Sequence, residues 1–502
     1  MKTKKNLTVY FLALLLLALA SCNKKETFRY EENWESIRSN YSVPDWFRDA
    51  KFGIFLHWGV YSVPAAGAGY PSRMYHKGSP SYNHHIATYG EHKDFGYIDF
   101  VPMFKAEKFD ANEWVKTFKK AGAKYVIPVA EHHDGYAMYN SQHTPWNSVK
   151  TGPKRDVLKE ISDACKEENL KFGASSHLVG WRTSFRKTDE YGTNDPKNYD
   201  FYWKPEDKES SDHEFYDLWW NRTKDLIDNY DLDMIWFDYG LDYEAMIPIH
   251  KKLLAYFYNN ALDRNKEVVF CNKNMCKTNW KDGVFTQDIT VKSFPEDIII
   301  LDLERGRKDD MFKFPWITDT SMGEKSWSYR EDEQYKTSDY IIDEFIDIVS
   351  KNGCYLLNIG PKADGTLPKR AINILTDIGN WLDVNGEAIY ETRPWEIYGE
   401  GPTEIHCGNH TEWLNPPHVA DDIRFTTKGD DLYATALGWN DDGQYLIKSL
   451  AQYNIYETRA IKSVEFISGD NQIVWEQTRE GLKIKVSGDK PNPSAYVFKI
   501  NF

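Results

Sequence analysis

The sequence predicts an α/β protein: a (β/α)8-like TIM barrel followed by a C-terminal antiparallel β-sandwich. Three observations carry this reading. Short apolar runs of strand-forming residues alternate with amphipathic helical patterns over roughly 350 residues, as in a parallel sheet with crossover helices. Polar and ionisable residues stand directly after several of those runs, where a barrel gathers its loops over one cleft. After Pro394-Trp395 the texture changes to short strands separated by Asp-Gly, Gly-Asp and Lys-Gly dipeptides, the pattern of a small sandwich.

Residues 1–21 read as an export signal. Lys2, Lys4 and Lys5 precede an apolar run at residues 9–20 that is too short for a membrane span. Its Leu-Ala-Ser-Cys ending resembles a bacterial lipoprotein signal. That resemblance implies a lipidated Cys22, a polar tether over residues 22–40 and anchorage to the outer membrane, which Asn23 favours over the inner one.

The barrel is expected over residues 41–396. A buried strand at 52–56 ends in His57-Trp58-Gly59, and a helix at 111–121 precedes a strand at 124–130 that ends in Glu131-His132-His133-Asp134. Helix 157–170, strand 171–176 and helix 218–230 follow. Next comes the apolar run 234–237, too short for a helix, with Asp238 and Gly240 directly after it. A helix at 243–260, a strand at 267–271, a helix at 340–350 and a strand at 355–359 continue the alternation. Residues 397–502 hold seven short strands at 423–427, 431–437, 445–449, 464–468, 473–476, 482–487 and 495–500. With no exposed aromatic cluster in sight there, bracing of the barrel is the expected role.

Composition narrows the function. A net charge of −14 argues against nucleic-acid binding, and 18 Trp with 32 Tyr suit sugar faces as well as core packing. Beyond Cys22 the cysteines are Cys165, Cys271, Cys276, Cys354 and Cys407, too few and too scattered for a disulfide framework, although Cys271 and Cys276 are near enough in sequence to pair. Without a Cys-x-x-Cys pair, structural zinc is disfavoured. Strand ends bring His57, His132 or His133, and Asp238 to one face; adjacent histidines diverge on a strand but not once a loop has begun. A hydrolase metal site is one reading of such a set. Trp58, Tyr136 and Trp236 crowd the same positions, however, and favour a hydrogen-bonding sugar pocket with no metal.

Six motifs, in order, give a family resemblance: residues 46–64 (WFRDAKFGIFLHWGVYSVP), 121–141 (AGAKYVIPVAEHHDGYAMYNS), 234–240 (MIWFDYG), 326–329 (SWSY), 349–368 (VSKNGCYLLNIGPKADGTLP) and 385–395 (NGEAIYETRPW). The chain resembles the α-L-fucosidases of glycoside hydrolase family 29. The resemblance implies a retaining exo-fucosidase that uses two carboxylates, with Asp238 as nucleophile and a downstream glutamate, protonated near neutral pH, as acid/base. Glu304 is the favoured glutamate because it follows the apolar run 298–301; Glu296 and Glu324 are the alternatives. His57, Tyr75, His132, His133 and Trp236 match fucose-contacting positions, and Trp316 and Trp327 are expected pocket walls. The chain departs from the family at Met74-Tyr75, at SSHLVGW (residues 175–181) and at Cys354-Tyr355, and the first two departures bear on linkage preference. The expected partners are fucosylated oligosaccharides or glycoconjugates, with no cofactor; oligomeric state is not legible. The competing readings are a glycosidase for a related sugar such as galactose, and an inactive fucose-binding surface lipoprotein.

Overall fold

The computed structural model describes residues 28–205, 211–273, 277–281, 284–288 and 294–502. Cys22 and Cys276 lie outside the described residues. Eight parallel strands close into a barrel: β1 (Phe52–Leu56), β2 (Tyr125–Glu131), β3 (Lys171–Ser176), β4 (Met234–Phe237), β5 (Val269–Lys273), then, after a hairpin of β6 (Lys277–Lys281) and β7 (Val284–Asp288), β8 (Ile300–Asp302), β9 (Trp316–Ser321) and β10 (Gly353–Ile359). The strands neighbour one another in chain order, and β10 closes on β1. The longer outer helices are α1 (Ala111–Lys120), α2 (Val157–Glu167), α3 (Ser211–Asn229), α4 (Ile249–Asp263), α5 (Ser338–Ser350) and α6 (Lys369–Asn385).

Strand parity explains the two cores. Side chains alternate along a strand, so in a barrel every second residue faces the interior. Phe55, Tyr125, Ile127, Val129, Met234, Trp236, Val269, Cys271, Ile300, Ile317, Cys354 and Leu356 fill the inside. Their neighbours Ile54, Val126, Ile235, Phe237, Phe270 and Leu357 pack outward under the helices. Being buried on both faces, these strands read as continuous apolar runs.

One expectation about the fold needs correction. Residues 28–40 are not wholly a tether: Asn33 caps a helix at Trp34–Asn40, Tyr30 N–H donates to Asn259 at 2.9 Å, and the next residue, Tyr41, stacks on Tyr258 of α4. Cys271 is a free thiol pointing into the barrel interior, and the partner expected for it, Cys276, is outside the described residues. The strand β8 continues the apolar run 298–301, whereas β9, WITDTS, is marked by no apolar run because it is mostly polar along its length.

The C-terminal region forms two antiparallel sheets, ordered β11-β12-β13-β18-β15 and β14-β17-β16. Their strands are β11 (Gly399–Glu400), β12 (Ile423–Lys428), β13 (Asp431–Ala436), β14 (Gln444–Ile447), β15 (Ser463–Phe466), β16 (Ile473–Gln477), β17 (Leu482–Val486) and β18 (Tyr496–Asn501). The sheets enclose a core of their own that includes Phe425, Leu432, Ile447, Ile484 and Phe498. Among the described residues, no helix is long and apolar enough to cross a membrane.

Candidate active site

The same parity builds the site. One step beyond the last apolar interior residue of a strand, the inward position becomes polar. Trp236 is followed by Asp238, Cys271 by Lys273, Phe55 by His57, and Leu356 by Asn358. Register then sets the neighbours: Trp236 pairs with Cys271, and Lys273 with Asp302, so Asp238, Lys273 and Glu304 meet at the C-terminal face. Gly240, at φ +105°, turns the chain away behind the aspartate; a Cβ there would sit 2.3 Å from Val179.

Asp238 is buried and held on both oxygens. Its Oδ1 accepts from Lys273 Nζ at 2.6 Å, and its Oδ2 lies 3.2 Å from His133 Nε2 and 3.3 Å from His177 Nδ1. Burial alone would raise its pKa, but the Lys273 ammonium and the two imidazoles outweigh burial and hold it well below the usual carboxylate range. Lys273 also reaches Glu304 Oε2 at 2.9 Å. Burial works against its charge, yet the carboxylates of Asp238 and Glu304 raise its pKa well above normal, so it is an ammonium throughout the working range. The two carboxylates therefore share one cation, which bounds the gap between their nearest oxygens at about 5.5 Å, the spacing of a retaining pair.

Glu304 is half-buried, and its Oε2 lies 3.2 Å from His410 Nε2. Burial favours its neutral form, but Lys273 and His410 together bring the carboxyl down to about 2. Lys273 and His410 thus favour the carboxylate form of Glu304 in the free protein. Glu296 and Glu324 stand apart from this carboxylate pair: Glu296 precedes β8 on a half-exposed turn, and Glu324 is an exposed residue after β9.

Histidines make one wall. His57 pairs its Nδ1 with Asn358 Oδ1 at 2.7 Å, and its ring lies 5.2 Å from those of both His177 and Trp327. The loop has begun by His132-His133, so both rings turn to the same side, 4.4 Å apart. Burial, followed by the neighbouring histidines, holds His57 and His132 well below the ordinary imidazole value. The neutral His57 ring donates its Nδ1–H to Asn358 Oδ1, which leaves Nε2 to accept from a ligand hydroxyl. Trp236 forms the floor, with its ring 5.1 Å from that of His177 and Lys273 Nζ 5.4 Å above it. Among the described residues, His132 Nδ1 and Trp236 Nε1 have no hydrogen-bond partner, which leaves both for a ligand. Trp327 stands at the rim, covered on one face by the Arg305 guanidinium 4.9 Å away.

Two expected residues lie elsewhere. Trp316 opens β9, paired with Gly353 and Leu301, and its indole donates to Lys351 O at 2.9 Å. It occupies the opposite end of a strand whose other end, Ser321, reaches Asn358, so it braces the barrel's N-terminal face. Tyr75 is fully buried in a separate aromatic cluster with His92 and Tyr191, and its hydroxyl accepts from Tyr97 N–H at 2.9 Å. It supports the loop after β1.

His177, Lys273 and His410 were missed. His177 follows the buried strand 171–176 just as His57 and His132 follow theirs, so the strand-end signal was present. Lys273 carried the parity signal, hidden because the strand was ended at Cys271. His410 comes from beyond the barrel and gave no signal. Two histidine-containing sets, His57-His132-His177 and His133-His177-Asp238, are compact enough to hold a metal ion. In the second, Lys273 already neutralises the carboxylate.

The alpha-L-fucosidase family model matches residues 17–387, and the alpha-L-fucosidase C-terminal domain model matches residues 416–501. The chain is 29% identical to the tissue alpha-L-fucosidase of Rattus norvegicus over 500 residues, covering 97% of this chain and 96% of the relative. It is 27% identical to the alpha-L-fucosidase of Dictyostelium discoideum, with 99% of each chain covered. The crystal structure of Thermotoga maritima alpha-fucosidase in complex with fucose superposes with a TM-score of 0.71 at 28% identity, covering 94% of this chain and all of that one. The chain belongs to the alpha-L-fucosidase family and is a glycoside hydrolase.

Proposed function

We propose that this hydrolase is a retaining, exo-acting α-L-fucosidase that releases terminal α-L-fucosyl residues from glycans through a covalent fucosyl-enzyme. The observation that carries this reading is the shared ammonium of Lys273, which keeps an oxygen of Asp238 and one of Glu304 within about 5.5 Å, leaving no room for a water between nucleophile and sugar. Asp238, held ionised, attacks the anomeric carbon while Glu304 delivers a proton to the departing oxygen. Water then displaces the aspartate with Glu304 acting as base, and the second inversion restores the α configuration.

The pocket's chemistry supports a compact polyhydroxylated ligand. Each hydroxyl that leaves water needs a partner, and neutral His57 and His132 with the unpartnered Trp236 Nε1 supply such partners above an apolar floor. Fucose is favoured because the Thermotoga maritima relative was solved with fucose and with a mechanism-based inhibitor. Asp238→Gly is expected to lower kcat by about 10⁴-fold or more on an aryl fucoside. Azide should restore turnover and yield the β-configured fucosyl azide. An α-configured adduct, or full activity in the variant, would remove Asp238 as nucleophile; faster release of galactose than of fucose by the native protein would remove the sugar assignment.

The leader supports a lipid-anchored, exported location. Cys22→Ala is expected to shift the protein from the membrane fraction to the soluble fraction and to abolish incorporation of labelled palmitate; unchanged partitioning would contradict the anchor.

A further inference from the structure

The segment that follows the barrel does more than lead into the sandwich. It is laid against the loop that carries Glu304: Gly408 N–H donates to Arg307 O at 2.8 Å, His410 N–H to Glu304 O at 2.7 Å, and Thr411 N–H to Arg305 O at 3.0 Å. Gly306 permits this approach, since a Cβ there would fall 1.9 Å from Gly408 O. Glu412 fastens the far end through Arg305, Thr320 Oγ1 at 2.6 Å and Lys336 Nζ at 2.7 Å. The result is that His410, held at φ +55°, sets its Nε2 3.2 Å from Glu304 Oε2. Its ring lies against the exposed indole of Trp413, and its side chain keeps 38% exposure.

We propose that His410 and Glu304 form a single proton-holding pair, in which His410 Nε2 keeps the proton in the free enzyme and passes it to the glutamate as the glycosidic bond breaks. This rests on the reading of Glu304 as acid/base. In the first step the C1–O bond pair leaves with the aglycone oxygen, which takes the Glu304 proton; the carboxylate has drawn that proton from His410, which ends neutral. In the second step the attacking water gives its proton to the pair, restoring the imidazolium, and the C1–Asp238 bond pair returns to the carboxylate. The charged groups facing His410 are Glu304, Lys273 and Asp319, with Asp302 beyond Asp319. Burial lowers the His410 pKa, but Glu304 outweighs it and the net shift is upward. One proton therefore stays on the pair until pH rises through the value of the histidine, which reconciles the low pKa of Glu304 beside Lys273 and His410 with its role as an acid.

His410→Gln in the full chain tests this against phenyl fucoside, whose leaving group needs a proton, and against 2-chloro-4-nitrophenyl fucoside, whose leaving group does not. The expected result is a fall in kcat/KM of about 10²-fold on the phenyl substrate and little change on the activated one. The basic limb of the phenyl profile should move to lower pH. In His410→Ala, added imidazole should restore phenyl fucoside turnover. An unmoved basic limb with equal losses on both substrates, or no rescue by imidazole, overturns the pairing. Glu304→Gln separates the two claims: if it lacks the leaving-group split, Glu304 is not the acid; if it has the split while the His410 variants show neither signature, only the pairing falls.

Discussion

Lys273 donates to Asp238 at 2.6 Å and to Glu304 at 2.9 Å, so the pKa values of both carboxylates depend on one side chain. In Lys273→Met, Asp238 and Glu304 lose their largest opposing charge and both pKa values rise. On the proposed mechanism the acidic limb of kcat/KM, set by ionisation of Asp238, should move to higher pH; an unmoved limb would show that the histidines alone keep Asp238 ionised. Stranding two carboxylates should also cost roughly 3–5 kcal/mol, read as a lower urea midpoint. Asp238, His57, His132 and His133 were legible as residues that end apolar runs. Lys273 was not, because a strand that turns polar for its last two residues looks like a loop unless the inward positions Val269, Cys271 and Lys273 are counted in twos. Trp236 and Trp316 show the complementary limit. Each is a tryptophan in a barrel strand, and only its distance from the strand's C-terminal end separates a pocket floor from a brace.

The loop after β8 and the segment at residues 408–412 act as one element although about a hundred residues separate them. Gly306 is the point of closest approach. Gly306→Ala should push the strips apart, costing roughly 1–3 kcal/mol of stability. Because it removes no chemical group from the site, its loss of activity should fall on substrates with poor leaving groups, as for His410→Gln. Equal kinetics to the native protein would show that the neighbouring backbone gives way without moving His410. This strip is invisible to periodicity, because it is neither apolar nor regular. β9 was missed for a related reason: Thr318, Asp319, Thr320 and Ser321 are buried, yet they are polar because they hold loops and carboxylates near the mouth of the barrel.

Across the whole molecule, the barrel and sandwich are joined by a buried ionic hub on α5. Asp347 meets Lys351 at 3.0 Å, Arg307 at 3.5 Å and Arg424 of β12 at 2.5 Å. Burial opposes its charge, but Lys351, Arg424 and Arg307 depress its pKa far below the ordinary carboxylate value of about 3.9. A depressed folded-state pKa gives stability that is present above the unfolded value and lost as pH falls toward the folded one. Asp347→Asn should therefore destabilise by roughly 3–5 kcal/mol at pH 7, and the gap in Tm to the native protein should narrow as pH drops below about 4. A gap independent of pH would assign the loss to packing. Since the sandwich also carries the strip that reaches Glu304, loosening this joint should lower activity before the barrel itself unfolds. The sandwich meets the barrel through Arg424, and the strip before it reaches Glu304 through His410.

By itself the sequence determined the alternation of strands and helices, the change of texture after Trp395, the family and the place of Asp238 at the end of a buried strand. These are written locally: an apolar run shows burial, and the residue after it shows where burial ends. Only the tertiary structure decided that Lys273 joins the two carboxylates, that Glu304 rather than Glu296 or Glu324 stands opposite Asp238, and that His410 belongs to the same centre. Those pairings follow from barrel register and from how distant loops pack on one another, and neither leaves a periodic trace along the chain.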